Sequence, residues 1–324
     1  MRSWGAVTVL VGALVVTGCS AEAPDPVPVP PLDAPTETGP ASYDDALASA
    51  PSVLALVPED ATTLSVTDFE QVRLVLGASL VDGQSPAAER ESFWRQAERE
   101  APLLSTGMLR PYDARLSRGY GFTQDDVEWE ATFSGPAGDG WVLAFRDDLD
   151  LAGVERAVAE GVGPLSGAEV DAATRLVSSG TAVDGGSSWA ADPELVALVS
   201  PAAASATYVE RECVPFETAF GADVEDDLAE TPAADLAELE PLTSWSLSFG
   251  GELATARLGA ARTDVFERMR LADTLPATEP EFGTGFADGV ADPAGGRIGY
   301  SMPSPAAAAL LTRERHLPFA VCPA

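Results

Sequence analysis

The chain has 324 residues, with 19 Lys+Arg against 51 Asp+Glu and a formal net charge of -32. Hydrophobic residues make up 46%, enough apolar chain for a packed core, which excludes wholesale disorder. A surface this acidic repels a phosphate backbone and anionic lipid, which excludes nucleic-acid binding and a domain lying flat on a membrane.

Met1 to Cys19 has the parts of an export signal: Arg2 as the basic start, then an uncharged run from Trp4 to Val16. That run is shorter than the ~20 apolar residues that span a bilayer. It ends in Val16-Thr17-Gly18-Cys19, which resembles the lipobox of bacterial lipoproteins. The resemblance implies cleavage before Cys19, acylation of its thiol (diacylglyceryl, then palmitate-type chains) and a stable two-chain anchor on the extracytoplasmic face of the cell membrane. An ordinary signal peptide with an incidental cysteine is the alternative. Residues 1–18 are thus expected as signal peptide.

Residues 19–42 are expected as a linker, with seven prolines between residues 21 and 40 and four acids without a base. Proline lacks an amide donor and fixes φ, so an extended path of ~3.1 Å per residue is the favoured form. A proline-rich ligand for a recognition domain is the other reading.

The domain beyond reads as α+β. Val57 to Gly77 is strand then helix. Ser85 to Ala101 is a helix with Phe93, Trp94 and Ala97 apolar. Trp129 to Gly135 alternates as a strand, Gly140 to Arg146 is its partner, and a helix opens at Asp150 with Leu151, Val154 and Val158 on one face. Trp245 to Gly251 matches the Trp129 strand at an offset of 116, followed by a strand at Leu253 to Ala260 and a helix from Thr263 carrying Val265, Phe266, Met269 and Leu271. Asp192-Pro193 and Ser304-Pro305 are both an N-cap followed by proline, at an offset of 112. Thr207 to Gly221 resembles Val57 to Gly77.

These matches predict two tandem repeats, 43–203 and 204–324, each an antiparallel sheet with helices packed on one face. The first carries an inserted helix near 85–101, and the second has a hairpin turn four residues shorter. The expected core is Trp129, Phe133, Trp141, Phe145, Trp245, Phe249, Leu258 and Phe266.

Once Cys19 is acylated, Cys213 and Cys322 remain, and in an exported chain they are expected as a disulfide. No metal or cofactor is expected, since His316 is the only histidine and no close Cys or His pair occurs. Gly299-Tyr300-Ser301-Met302-Pro303 has a serine in an elbow-like setting, but Pro303 stands where a hydrolase elbow needs glycine. Acidic clusters at Asp125-Asp126, Asp147 to Asp150, Asp223 to Asp227 and Asp288 to Asp292 lack calcium-hand spacing and read as solvated faces. Gly185-Gly186 and Gly295-Gly296 read as turns. Tyr112, Tyr120 and Phe122 read as packing beneath a loop, with a binding groove as the other possibility.

The whole chain resembles the uncharacterised surface lipoproteins of actinobacteria, a likeness of composition that carries no active site. The expectation is a non-catalytic binding or accessory module tethered to the membrane, acting on an envelope protein or small molecule. An envelope hydrolase and a calcium-dependent module are the alternatives. Catalytic residues are not identifiable at this level.

Overall fold

The strands in chain order are β1 (Thr63–Asp68), β2 (Val127–Gly135), β3 (Gly138–Phe145), β4 (Glu169–Asp171), β5 (Leu176–Ser179), β6 (Ala206–Arg211), β7 (Ser244–Gly250), β8 (Leu253–Arg257), β9 (Ala287–Asp292) and β10 (Arg297–Ser301). They form one ten-stranded sheet in the order β4-β5-β3-β2-β1-β6-β7-β8-β10-β9, every neighbouring pair antiparallel. The helices are α1 (Ser49–Val53), α2 (Phe69–Val75), α3 (Ala87–Glu100), α4 (Asp113–Tyr120), α5 (Ala152–Ala159), α6 (Pro193–Leu198), α7 (Phe216–Phe220), α8 (Val265–Arg270), α9 (Phe282–Gly285) and α10 (Pro305–Glu314). This computed structural model describes residues 42–182, 185–199, 202–220, 236–273 and 281–323. The expected signal peptide, Cys19, the expected linker up to residue 41 and the Asp223 to Asp227 cluster lie outside them.

The architecture is a mixed α+β layer arrangement, as the sequence suggests. Both predicted segments contribute five strands, and the order on one side of the central β1–β6 pair mirrors that on the other. Each side runs strand, hairpin, hairpin, with one or more helices after the strand and after each hairpin. The helices at Ser85, Asp150, Asp192-Pro193, Thr263 and Ser304-Pro305 form where their caps and apolar spacing put them. Asp192 accepts from Glu194 N at 2.9 Å, and Ser304 from Ala307 N at 3.3 Å.

The residue-level match does not hold. Directly paired residues share a sheet face. One row runs Phe133, Leu64, Val209, Ser246, and a row on the other face runs Leu143, Glu130, Thr67, Ala206, Phe249. Trp129 shares the face of Phe133 and packs with Leu64, Val66 and Trp189. Trp245 shares the face of Phe249 and packs with Leu247, Phe319 and Leu311. The two tryptophans therefore stand on opposite faces. Both hairpins turn through two residues, 136–137 and 251–252, so neither turn is shorter and the hairpins correspond at an offset of 115. An offset of 116 is a slip of one, which exchanges the faces of every side chain.

Helices on one face is also corrected. In the first half α2, α3, α4 and α5 cover the face of Leu143, Phe145 and Val177. The opposite face, with Leu64, Val66, Trp129, Ala131 and Phe133, is apolar too, and α1, Trp189 and α6 cover it. In the second half α8 and α10 lie over Trp245, Leu247, Phe249, Ile298 and Tyr300. Their other side carries Ser244, Ser246 and Ser248, and buried Ser246 donates to the Leu198 carbonyl of α6 at 2.7 Å. So α6 and α10 start alike and pack on opposite faces. Of the expected core, Trp141 is half-buried and Phe266 is exposed, because Val265 and Arg268 take the inward side of α8.

Cys213 and Cys322 are joined, with Cα atoms 4.8 Å apart. Backbone bonds from Val214 N to Ala320 O and from Cys322 N to Val214 O, 2.8 and 2.9 Å, hold the two segments side by side.

Candidate functional site

Residues 85–121 fall between α2 and β2. They hold Arg90, Arg95, Arg99, Arg110, Arg115 and Arg118, six of the chain's 19 bases, with only five acids. In a chain of charge -32 this is a local reversal of sign. The segment folds as α3, a loop and α4.

A cleft of about 550 Å³ lies between the two helices. Ala87, Arg90, Glu91, Trp94 and Arg95 line it from α3, a spacing of three and four that places them on one stripe. Asp113, Ala114, Ser117 and Arg118 line it from α4, and Arg110 and Asp125 complete it.

The floor is fixed by a buried network. The Asp125 side chain is 1% exposed and accepts from Trp94 Nε1 at 2.9 Å, Arg90 Nη1 at 3.2 Å and Thr123 Oγ1 at 3.3 Å. Buried Arg73 of α2 donates to the Asp125 and Val127 carbonyls at 2.7 and 3.0 Å. The Arg110 guanidinium stacks over Trp94, 4.2 Å from the ring centroid, and donates to Glu98 at 2.8 Å and to the Thr106 carbonyl at 3.1 Å. These contacts use Nη1, leaving Nε and Nη2 without an acceptor among the described residues.

The loop joining α3 to α4 is tied to the sheet by Glu130 of β2. This buried carboxyl accepts from the Ser105 hydroxyl and from Met108 N, and burial pushes its pKa up. Gln124 accepts from Leu109 N at 2.8 Å. Gly107 stands there with φ +88°, and a Cβ would meet the Gln124 side chain at 2.7 Å.

Asp113 opens α4 at the cleft and accepts from Gln124 N at 2.9 Å. Burial raises its pKa to about 6; Asp125 adds to the rise, and Arg90 and Arg110 oppose it. Arg118 has no protein partner among the described residues. Arg95 has only exposed Glu91, at 3.7 Å.

A second cavity, of about 390 Å³, is walled by Phe282, Phe286, Met269 and Tyr300 and rimmed by Asp273, Glu281 and Asp288. The Tyr300 hydroxyl is buried without a hydrogen-bond partner among the described residues, and burial, with the charge of Asp273, raises its pKa.

No family model, curated protein or solved structure matches the chain. The site therefore rests on its own geometry.

The residues singled out in the sequence have other places. Ser301 Oγ donates to Asp288 and to the Ala287 carbonyl, 2.9 and 3.2 Å away, while His316 Nδ1 lies 3.5 Å from Glu314, so the serine and histidine are not paired with each other. Asp126 is buried, not solvated: it accepts from Thr123 N and Gly83 N at 2.8 and 3.0 Å as half of a capping box. Asp125 is likewise drawn inward. Phe122 packs edge-on to Phe145, and Tyr120 donates to Glu160 at 2.5 Å. Gly295-Gly296 turns β9 into β10, and Gly185 opens a 3₁₀ turn. Among the described residues no group of three or more Cys, His, Asp or Glu is arranged to hold a metal, and no helix is long and apolar enough to cross a membrane.

Sequence reading missed the cleft residues. The signal was present as the arginine count of residues 85–121, which stands out only when charge is counted by segment.

Proposed function

We propose that the protein is a lipid-anchored, extracytoplasmic binding or accessory module of the cell envelope, tethered through Cys19 and taking its ligand in the α3–α4 cleft. The carrying observation is the cleft itself: a concave site whose arginines gather in one segment of a strongly acidic chain. Its open side chains are chiefly arginine donors, which suit recognition, and Glu91, Asp113 and Asp125 are the acids that line it. The lipobox resemblance and the proline-rich segment after it support the tether.

A photo-crosslinking amino acid at Ser117, which lines the cleft, tests the reading in cells. An adduct from Ser117, and none from exposed Ala172 on the β4–β5 turn, is the expected result. Equal yields at both positions, or no adduct at either, would count against the cleft as the ligand site.

We also infer that the two halves descend from one duplicated unit, with Glu130 corresponding to Trp245. The mirrored strand order and the two equal hairpin turns support this. In that register the inserted helices are an addition to the first copy, as binding segments on repeated scaffolds often are. An experimental structure in which β1–β3 fails to superpose on β6–β8 in this register would end the inference.

A further inference from the structure

We propose that the α3–α4 cleft is a site for an oxyanion of the phosphate or sulfate type, held by Arg118, Arg110 and Arg95, with Asp113 as the group that sets its charge. This rests on the reading of the cleft as the ligand site and names what it takes. Guanidinium groups present planar, paired donors that match the oxygens of a tetrahedral anion. The free donors of the cleft are of that kind: all of Arg118, the Nε and Nη2 of Arg110, and Arg95, whose only partner is an exposed carboxylate at 3.7 Å. Arg110 is pre-oriented by its stack on Trp94, so less ordering is needed when an anion arrives. Ser117 adds a hydroxyl at the same wall. The 14-residue α3 opens at Pro86 without a side-chain cap, and its first residue, Ala87, lines the cleft, bringing the positive end of that helix to the site.

Three acids oppose an anion there: Glu91, Asp125 and Asp113. Asp125 is neutralised by its ion pair with Arg90. Glu91 is exposed and beside Arg95. Asp113 changes its charge between pH 5 and 7.5. It is faced by Arg90 of α3, by Arg110, by Asp125 and by the Gln124 amide, and it loses its charge as pH falls through about 6. Removing a negative charge from the site strengthens anion binding, so affinity should rise on acidification. One unit charge a few ångströms away, at a part-buried site, corresponds to about tenfold in affinity.

Isothermal titration of the full mature protein in nonionic detergent tests this with sodium sulfate, which stays a dianion across the range. Expected is one saturable site at pH 5.2, about tenfold weaker at pH 7.5. Arg118→Glu, with an unchanged melting temperature, should lose binding at both. Asp113→Asn should bind at pH 7.5 as wild type binds at pH 5.2, with little pH dependence. Inorganic phosphate, glycerol 3-phosphate and the diester glycerophosphoglycerol separate the sources. Binding of the first two alone assigns a free anion or monoester, and equal binding of the diester assigns a head group, either result upholding an oxyanion site. No saturable binding, or binding that Arg118→Glu leaves intact, overturns the proposal. If sulfate fails to bind while the Ser117 crosslink persists, the cleft remains the ligand site and only the ligand class falls.

Discussion

Glu128 should make the protein more stable in mild acid than at neutral pH. It sits where the β2–β3 register shifts between Val127 and Trp129. A bulged residue has no place in the ladder, and here its carboxyl is half-buried among acids. Burial raises its pKa from 4.5 to about 7; Glu70, Asp147 and Asp68 add to the rise and Arg146 opposes it. The folded chain therefore holds this proton more tightly than the unfolded chain. Stability is lost as pH rises from about 4.5 to about 7, and is regained on acidification. At about 1.36 kcal/mol per tenfold change in proton affinity the full effect is about 3 kcal/mol, and water screening of a half-buried group brings it to about 1–2 kcal/mol. Glu128→Gln mimics the protonated acid. Urea denaturation should show the variant more stable than wild type by about 1–2 kcal/mol at pH 7.5, with the gap falling below about 0.5 kcal/mol at pH 5. Acid also relieves the general repulsion of the -32 charge, but in both proteins alike, so the double difference isolates Glu128. Equal midpoints at pH 7.5, or a variant weaker at both pH values, would refute the reasoning.

Cys213→Ser with Cys322→Ser removes a bridge across 109 residues and should lower stability by about 2–5 kcal/mol; an unchanged urea midpoint would contradict a structural bridge. Arg268 is fully buried and donates to Asp264 and to the Phe319, Val321 and Glu240 carbonyls, so Arg268→Met should cost about 3–5 kcal/mol and expose the Cys322 segment to proteolysis. Cys19→Ala should leave the protein in the soluble fraction or as uncleaved precursor, and undiminished acyl labelling would exclude Cys19 as the anchor.

Local signals were legible because they act locally. The Asp192-Pro193 and Ser304-Pro305 starts, the Ser85 helix and the Cys213–Cys322 pair follow from capping, periodicity and redox chemistry, and each is found. The sheet's registers were not. Trp129-x-x-x-Phe133 and Trp245-x-x-x-Phe249 are equally good half-buried strands, and alternation tells which residues share a face but not which face. In the first half the tryptophan strand meets α1 and α6, and in the second it meets α8 and α10. The inward turn of Asp125 and Asp126 was equally hidden. An acidic pair in a chain with 51 acids reads as surface, and only Trp94 and Arg90 of α3, Gly83 of the loop before it and the neighbouring cap Thr123 give it buried partners.

The placement of the cleft follows from how each half closes its core. In the second half the face of Trp245, Leu247 and Phe249 is closed by α10, whose Ala308 and Leu311 pack onto it, by the bridged C-terminal segment through Phe319, and by Leu236, Leu239 and Leu242 ahead of β7. In the first half α6 has gone to the opposite face, held by Ser246, and leaves the face of Leu143 and Val177 without its third helix. The inserted segment supplies the missing cover: Phe93, Trp94 and Ala97 of α3 and Leu116 of α4 complete that core. A helix pair added for cover must still present an outer surface, and the seam between its two helices is a groove by construction. Arginines along that seam carry long apolar stems that pack while their heads stay wet, so the same residues can finish the core's rim and face a ligand. Arg110 shows both at once, its plane on Trp94 and its side chain at the cleft wall with only Nη1 engaged among the described residues.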